Sequence, residues 1–183
     1  MKTKTQNIFT KKNITHLKNK DLFEYVIARI DAKNNGSTVI VPHVCNNINA
    51  FGAGFAGAVA SRYPIVKENY HLLGPQFLKN NLGYTQYIDV YSDKEYGHKL
   101  IFANMISQNG LLSNTNPRPI NYLALAKCMA SISKYILSQK DNDNPIEIHC
   151  PKFGAGLAGG NWSFINNLIE DIWNTVPVFV YSL

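Results

Sequence analysis

The chain reads FGAGFAG at residues 51–57 and FGAGLAG at residues 153–159. Each stretch holds a G-x-G-x-x-G motif: Gly52-Ala53-Gly54-Phe55-Ala56-Gly57 in the first, Gly154-Ala155-Gly156-Leu157-Ala158-Gly159 in the second. Each follows an apolar run that reads as a strand and precedes a stretch with helical spacing. Glycine lets backbone approach a ligand with no Cβ in the way and exposes consecutive N–H groups. A helix start adds unpaired donors and the positive end of a dipole. A diphosphate between two such loops is gripped from both sides without a metal. One such motif is weak evidence, because glycine at these junctions often serves only a tight turn or close packing. Two at equivalent junctions make the anion cradle the stronger reading.

Working outward, Ser37–Pro42 (STVIVP) reads as a buried strand ahead of the first loop, followed by a polar, asparagine-rich loop over His43–Phe51. Asn13–Lys18 is a candidate first strand. Leu22, Val26, Ile27 and Ile30 share one face of a helix over Asp21–Lys33, with Asp21 as N-cap and Asn34-Asn35-Gly36 as its break. Helices are expected at Phe55–Tyr63 and from Pro64 through Leu73, and strands at Thr85–Tyr91 and Lys99–Ser107. A loop covers Gln108–Pro119. A long amphipathic helix follows at Tyr122–Ser138, then a turn at Asp141–Pro145. Ile146–Cys150 is a strand, Trp162–Trp173 a helix and Val176–Leu183 a closing strand. This alternation implies an α/β domain with a parallel or mixed sheet and helices on both faces.

A dinucleotide-binding βαβ unit is the main competitor. Its glycines follow the strand at once, with an acid about twenty residues on. Here nine residues separate Pro42 from Gly52, and Glu68, the nearest such acid, falls in a helical stretch. One helix and one strand follow the second loop, and that strand ends without an acid. Neither loop ends in Gly-Lys-Ser/Thr, which excludes a P-loop. The cysteines Cys45, Cys128 and Cys150 make an odd, sparse set with no CxxC pair, so neither a disulfide framework nor a zinc site is expected. No metal and no cofactor are expected. No apolar run reaches the length of a membrane span, and Met1–Lys4 opens a polar stretch unlike a secretory leader, so a cytoplasmic monomer is the expectation. Hydrophobic residues at 45% against 16% charged mark a globular chain of 183 residues, enough for one domain. The net charge is +6, with six lysines crowded into residues 1–20. Residues 1–12 read as a basic tail and 13–183 as the single domain. A basic balance suits an anionic partner, though solubility explains it as well.

His43 directly follows the apolar strand. An imidazole titrates near neutrality and can give or take a proton, yet a structural histidine bonding a backbone carbonyl fits the position equally. Asn46 and Asn49 carry amides suited to ribose hydroxyls; loop capping is the competing role. Asn47 is left open between the two. Gln108 and Asn109 end the strand over 99–107 and are candidates for a ribose or for loop polarity alone. Cys45 and Cys150 lack an arginine six residues on and read as small buried residues. His149 reads as a satisfied core histidine, and Tyr63, Trp162 and Trp173 as packing residues.

Together, PHVCNNINAFGAGFAGAVASRYP (42–64), IFANMISQNG (101–110), HCPKFGAGLAGGNW (149–162) and VPVFVYSL (176–183) resemble a macro domain. The similarity points to the Appr-1″-p processing (ADP-ribose-1″-phosphate phosphatase) branch found in phage, bacterial and yeast proteins. It implies a macro-domain-like mixed β-sheet sandwiched between helices, with an ADP-ribose derivative in a cleft. In that likeness Asp21, beside Leu22, receives the adenine amino group. Asn46, Asn49, Gly52, Ala53, Gly54 and Phe55 hold the distal ribose and one phosphate, with Gln108 nearby. Gly154, Ala155, Gly156, Leu157, Ala158 and Gly159 wrap the diphosphate, Phe153 flanks the riboses, and His43 is catalytic. Ser107 and Ala158-Gly159 stand where relatives that remove ADP-ribose carry a lysine or an acid, which speaks against that mechanism. The implied activity is phosphatase hydrolysis without metal. The alternatives are a non-catalytic ADP-ribose reader and a hydrolase that removes ADP-ribose from protein or nucleic acid.

Overall fold

A computed structural model describes residues 13–33, 36–139 and 144–182. The expected basic tail, the Asn34-Asn35 break, the start of the Asp141–Pro145 turn and Leu183 lie outside the described residues. The elements in chain order are β1 (Ile14–Lys18), α1 (Leu22–Ile30), β2 (Thr38–Asn46), α2 (Gly54–Arg62), α3 (Pro64–Leu72), α4 (Pro75–Asn80), β3 (Thr85–Ser92), β4 (Lys99–Gln108), α5 (Tyr122–Ser138), β5 (Ile146–Pro151), α6 (Trp162–Ile172) and β6 (Val178–Ser182). Among the described residues no helix is long and apolar enough to cross a membrane.

The strands form one sheet in the order β1-β6-β5-β2-β4-β3, parallel throughout except for β3 against β4. The two-residue period of a strand sends its side chains to two cores. Val39, Val41 and Cys45 of β2 and Leu100, Phe102 and Ile106 of β4 join Leu22, Phe23, Val26, Val59, Tyr70 and Leu78 of α1–α4. Ile40, Ala103 and Met105 face the other way, onto Leu125, Met129, Ile132, Ile165 and Ile169 of α5 and α6. The three-layer α/β arrangement expected above is therefore the one observed.

Two expectations need correction. β2 continues to Asn46 instead of stopping at Pro42, and His43 lies inside it. Residues 38–46 pair with β4 along their whole length, but β2 pairs with β5 only from Thr38 to Ile40. Thr38 donates its N–H to Pro145 O on the β5 side, so alternation turns the nitrogens of Ile40 and Pro42 to that side as well. Proline has no N–H to give. The β5 ladder ends there while the β4 ladder runs on. The second correction is α4, a short helix that begins with Pro75 after Gly74 at φ 76°.

Helix ends follow local chemistry. The side chains of Asp21, Asn121 and Asn161 accept from Phe23 N, Ala124 N and Phe164 N, capping α1, α5 and α6. Between α1 and the sheet, Arg29 forks onto Glu147 of β5 at 3.1 Å through both Nε and Nη2. His149 Nε2 lies 3.2 Å from the same carboxylate, and its Nδ1 lies 2.7 Å from the Tyr181 hydroxyl of β6. His149 is thus the satisfied core histidine expected of it.

The His149 hydrogen bond first, and the Arg29 fork with it, pull the Glu147 carboxyl from an ordinary 4.5 down to about 2 against the opposing cost of burial. A depressed folded pKa contributes stability that is present above the unfolded value and lost as pH falls toward the folded one. Urea titrations of the wild-type chain should therefore lose roughly 2–3 kcal/mol through this group between about pH 4.5 and pH 2. Glu147→Gln should start less stable at pH 7 and lack that component.

Candidate functional site

Beyond Ile40 and Ile148 the strands β2 and β5 are no longer paired, and each leads into a glycine loop. A cavity of about 660 Å³ lies at this divide. His43 to Asn46 border it from β2, Ala50 to Ala56 from the first loop, and Pro151 to Gly154 with Gly156 to Ala158 from β5 and the second loop. Gln108, Leu111 and Leu112 close it on the β4 side. Such a crevice at the carboxyl ends of parallel strands is the general ligand site of open α/β sheets.

The first loop is held by its own asparagines. Asn46 Oδ1 accepts from Ile48 N at 3.0 Å, from Ala50 N at 3.2 Å and from the Tyr70 hydroxyl at 3.0 Å, while its Nδ2 donates to Ala50 O. Asn47 accepts from Gly110 N at 2.9 Å and donates to Asn109 Oδ1 at 3.0 Å, tying this loop to the one after β4. Asn49 sits at φ 61°, a left-handed conformation that asparagine tolerates, with Oδ1 2.8 Å from a His71 ring nitrogen. The amides expected at a ribose are thus engaged inside the protein. Asn46 borders the cavity with its side chain committed, and Asn49 is not part of the wall. Tyr70, which anchors the loop from α3, carried no sequence signal beyond its apolar spacing.

The glycines divide into two kinds. A Cβ on Gly57 would meet Gly52 O at 2.6 Å, and one on Gly159, at φ 67°, would meet Pro117 O at 2.6 Å. These two let the chain pack on itself. A Cβ on Gly52 or Gly156 would meet nothing within 4 Å, and both residues border the cavity. The fold does not need glycine there; bare backbone faces open space. The start of α2 adds to this, because Ala53 offers no side-chain cap and leaves the first-turn N–H groups without one. The second loop differs here: α6 begins at Trp162 as expected, but the Asn161 side chain caps it, so its start offers fewer free donors than α2 does. The loops approach each other where Leu157 Cδ1 lies 3.4 Å from the Cβ position of Gly54. Ala155 and Gly159 are not part of the wall.

His43 is 1% exposed. Its ring stands edge-on to Phe51 and Phe55, each at 5.7 Å, and to Phe102 at 6.4 Å, and its Nδ1 lies 3.7 Å from Cys45 Sγ. Burial lowers its pKa from 6.5 to about 4, against a smaller opposing pull from Asn104. The expectation of titration near neutrality is corrected by this burial. Burial also pushes the Cys45 and Cys150 thiols up, as befits inert core residues. Phe153 borders the cavity but is 4% exposed, its ring edge-on to Trp162 and Trp173. Gln108 Nε2 donates to Gly110 O at 2.9 Å. Asp21 and Leu22 are not part of the wall. Asp21 caps α1 and stands 3.6 Å from Arg62, whose guanidinium lies over Phe23, itself stacked on Phe55. Leu111 and Leu112, both about half exposed, are wall residues that polar loop composition concealed. Among the described residues no three His, Cys, Asp or Glu side chains gather as metal ligands.

Layer order, strand order and a cleft between two backbone loops define a three-layer α/β protein with an open crevice at the carboxyl ends of its parallel strands. The fold is the macrodomain fold. A macrodomain protein of Streptomyces coelicolor is similar at 26% identity and a TM-score of 0.65, covering 93% of this chain and 99% of that one. Thermosipho africanus DarTG, solved in complex with ADP-ribose, shares the fold at a TM-score of 0.67 and 16% identity, with 94% of this chain on 42% of that one. An uncharacterised 17.5 kDa protein from the tk-vs intergenic region of Enterobacteria phage T4 is 26% identical over 144 residues, 76% of this chain and 83% of that protein. No protein-family model matches the chain.

The two kinds of glycine separate in thermal denaturation. Gly57→Ala and Gly159→Ala should each cost about 1–3 kcal/mol, the scale of an overpacked interior. Gly52→Ala and Gly156→Ala should stay within about 0.5 kcal/mol of wild type, as open surface positions do.

Proposed function

We propose that this macrodomain binds ADP-ribose derivatives in the cleft between β2 and β5. The observation that carries the reading is the bare backbone of Gly52 and Gly156 facing open space beside an α2 start with no side-chain cap. That surface suits a diphosphate held by N–H groups and a helix dipole. The ADP-ribose complex of Thermosipho africanus DarTG, on the same fold, supports the same ligand. Asp21 follows β1, two strands from β5 and so about 10 Å along the strand ends at ordinary strand spacing. A purine attached to the held diphosphate reaches that distance, and Asp21 there accepts from an adenine amino group. Gln108 and Phe153 flank the riboses.

The activity proposed for the cleft is metal-independent hydrolysis at the distal end, with ADP-ribose-1″-phosphate as first substrate. The loops supply positioning and electrostatic stabilisation, and His43 assists at the attacking water. One observation favours a second reading, a non-catalytic reader of ADP-ribose or of ADP-ribosylated protein or nucleic acid. Among the described residues no carboxylate borders the cavity, and the histidine that does is 1% exposed.

Calorimetry with ADP-ribose should show binding that a chelator leaves unchanged. Gly156→Val should weaken it about tenfold or more, roughly 1.4 kcal/mol, at an unaltered melting temperature; unaltered binding would reduce the second loop to a turn. Phosphate release from ADP-ribose-1″-phosphate, assayed beside ADP-ribosylated protein and DNA, separates the two readings. Tight binding with no release from any of them establishes the reader.

A further inference from the structure

His43 of β2 and Asn104 of β4 are directly opposite in register, and Asn104 is opposite Gln86 of β3. All three side chains point to the α1–α4 face, where a polar row is out of place among Val41, Phe102 and Ile88. The row ends on a backbone carbonyl, since Gln86 Nε2 donates to Asn69 O at 2.8 Å. A carbonyl only accepts, so the NH₂ group of Gln86 must lie at that end and its Oε1 must face Asn104. Asn104 answers with its own NH₂, Nδ2 to Oε1 at 3.0 Å. Its Oδ1 is therefore left on the His43 side. Asn104 Oδ1 and His43 Nε2 are both fully buried and neither has a hydrogen-bond partner in the structure, although the Asn104 side chain acts on the ring to favour its proton. An orphaned pair of buried polar atoms is costly unless one carries a proton for the other. Oδ1 cannot, so Nε2 must. On the other side of the ring, Nδ1 lies 3.7 Å from Cys45 Sγ, which can donate to it weakly.

We propose that Asn104 is a positioning residue for His43, holding the imidazole as the tautomer that carries its proton on Nε2, so that Nδ1 remains an acceptor. Neutral His43 then meets the ligand through Nδ1 as an acceptor or base, and it can donate to a leaving group only the proton it has first taken there. This assignment rests on the reading that His43 acts at the ligand. The groups facing the ring are Cys45 on its own strand, Phe102 and Asn104 on β4, and Phe51 and Phe55 from the first glycine loop and α2. Asn104 is thus the lever on its proton.

The test is nitrogen-resolved NMR of the full chain with labelled histidines, the His43 signals assigned by their absence from His43→Gln. The wild-type ring should show the Nε2–H pattern unchanged from pH 5 to pH 8. Asn104→Asp sets a carboxylate against Nε2–H and should raise the ring's proton affinity at least tenfold. Gln86→Met removes the anchor of the row, frees the Asn104 amide to turn, and should give a mixture of tautomers in a folded protein. An Nδ1–H ring, or a ring that ionises near pH 6 in the wild type, overturns the assignment. So does a single unchanged tautomer in Gln86→Met. Phosphate release tests the reading beneath it. With His43 as base, the wild-type rate should be level across pH 5–8, and the Asn104→Asp rate should fall as pH drops through the raised pKa. Absence of release in both proteins overturns the hydrolase reading, while the ring signals still decide the tautomer.

Discussion

A single missing donor opens this molecule. Pro42 stands where β2 should next give an N–H to β5, and the ladder between those strands ends two residues earlier, at Ile40. Had pairing continued, the carboxyl ends of β2 and β5 would lie side by side and the 660 Å³ cavity between their loops would have no room. The ladder to β4 is untouched because its bonds use the alternate residues of β2. One proline therefore keeps a central strand in the sheet on one side and releases it on the other, which is why it is tolerated where prolines are rare.

What surrounds the opening follows from where polar side chains are already engaged. Asn46, Asn47 and Asn49 all serve the loops, Asp21 serves α1, and Asn161 serves α6. The cavity is left with backbone, leucines, phenylalanines packed on a buried histidine, and the side chains of Gln108 and Lys152. The recognition proposed for such a surface depends chiefly on N–H groups whose directions are set by the chain path, and the engaged asparagines act by fixing that path. Tyr70 exemplifies this, since its hydroxyl bonds Asn46 O at 2.8 Å from the opposite side of the loop.

The glycine motifs, the alternation of strands and helices, and the cap at Asp21 were all readable, because each depends on residues close in sequence. Pro42 was read as a strand end because proline signals interruption, and only the neighbours on either side show that one ladder of two is interrupted. His43 looked like a loop residue for the same reason, so its burial and lowered pKa were hidden. The asparagines matched ribose chemistry and loop chemistry alike, and the partners that decide between them, Tyr70 and Gly110, come from distant segments. The row from His43 through Asn104 to Gln86 is invisible in one dimension, since it exists only in the register of three strands.

The sheet order also governs when the cleft comes into being. β1 pairs with β6, Ile14 against Val178, so an early strand waits for nearly the last described one. Closing so long a stretch of chain has an entropic cost before any contact repays it, and parallel pairings of this kind form slowly. The segment from β2 through β4 can assemble first from nearer contacts. The edge that carries Asp21 is completed only when β6 slots between β1 and β5. During synthesis the first glycine loop therefore exists as peptide well before the second, and the cleft between them takes shape only after β5 has joined β2.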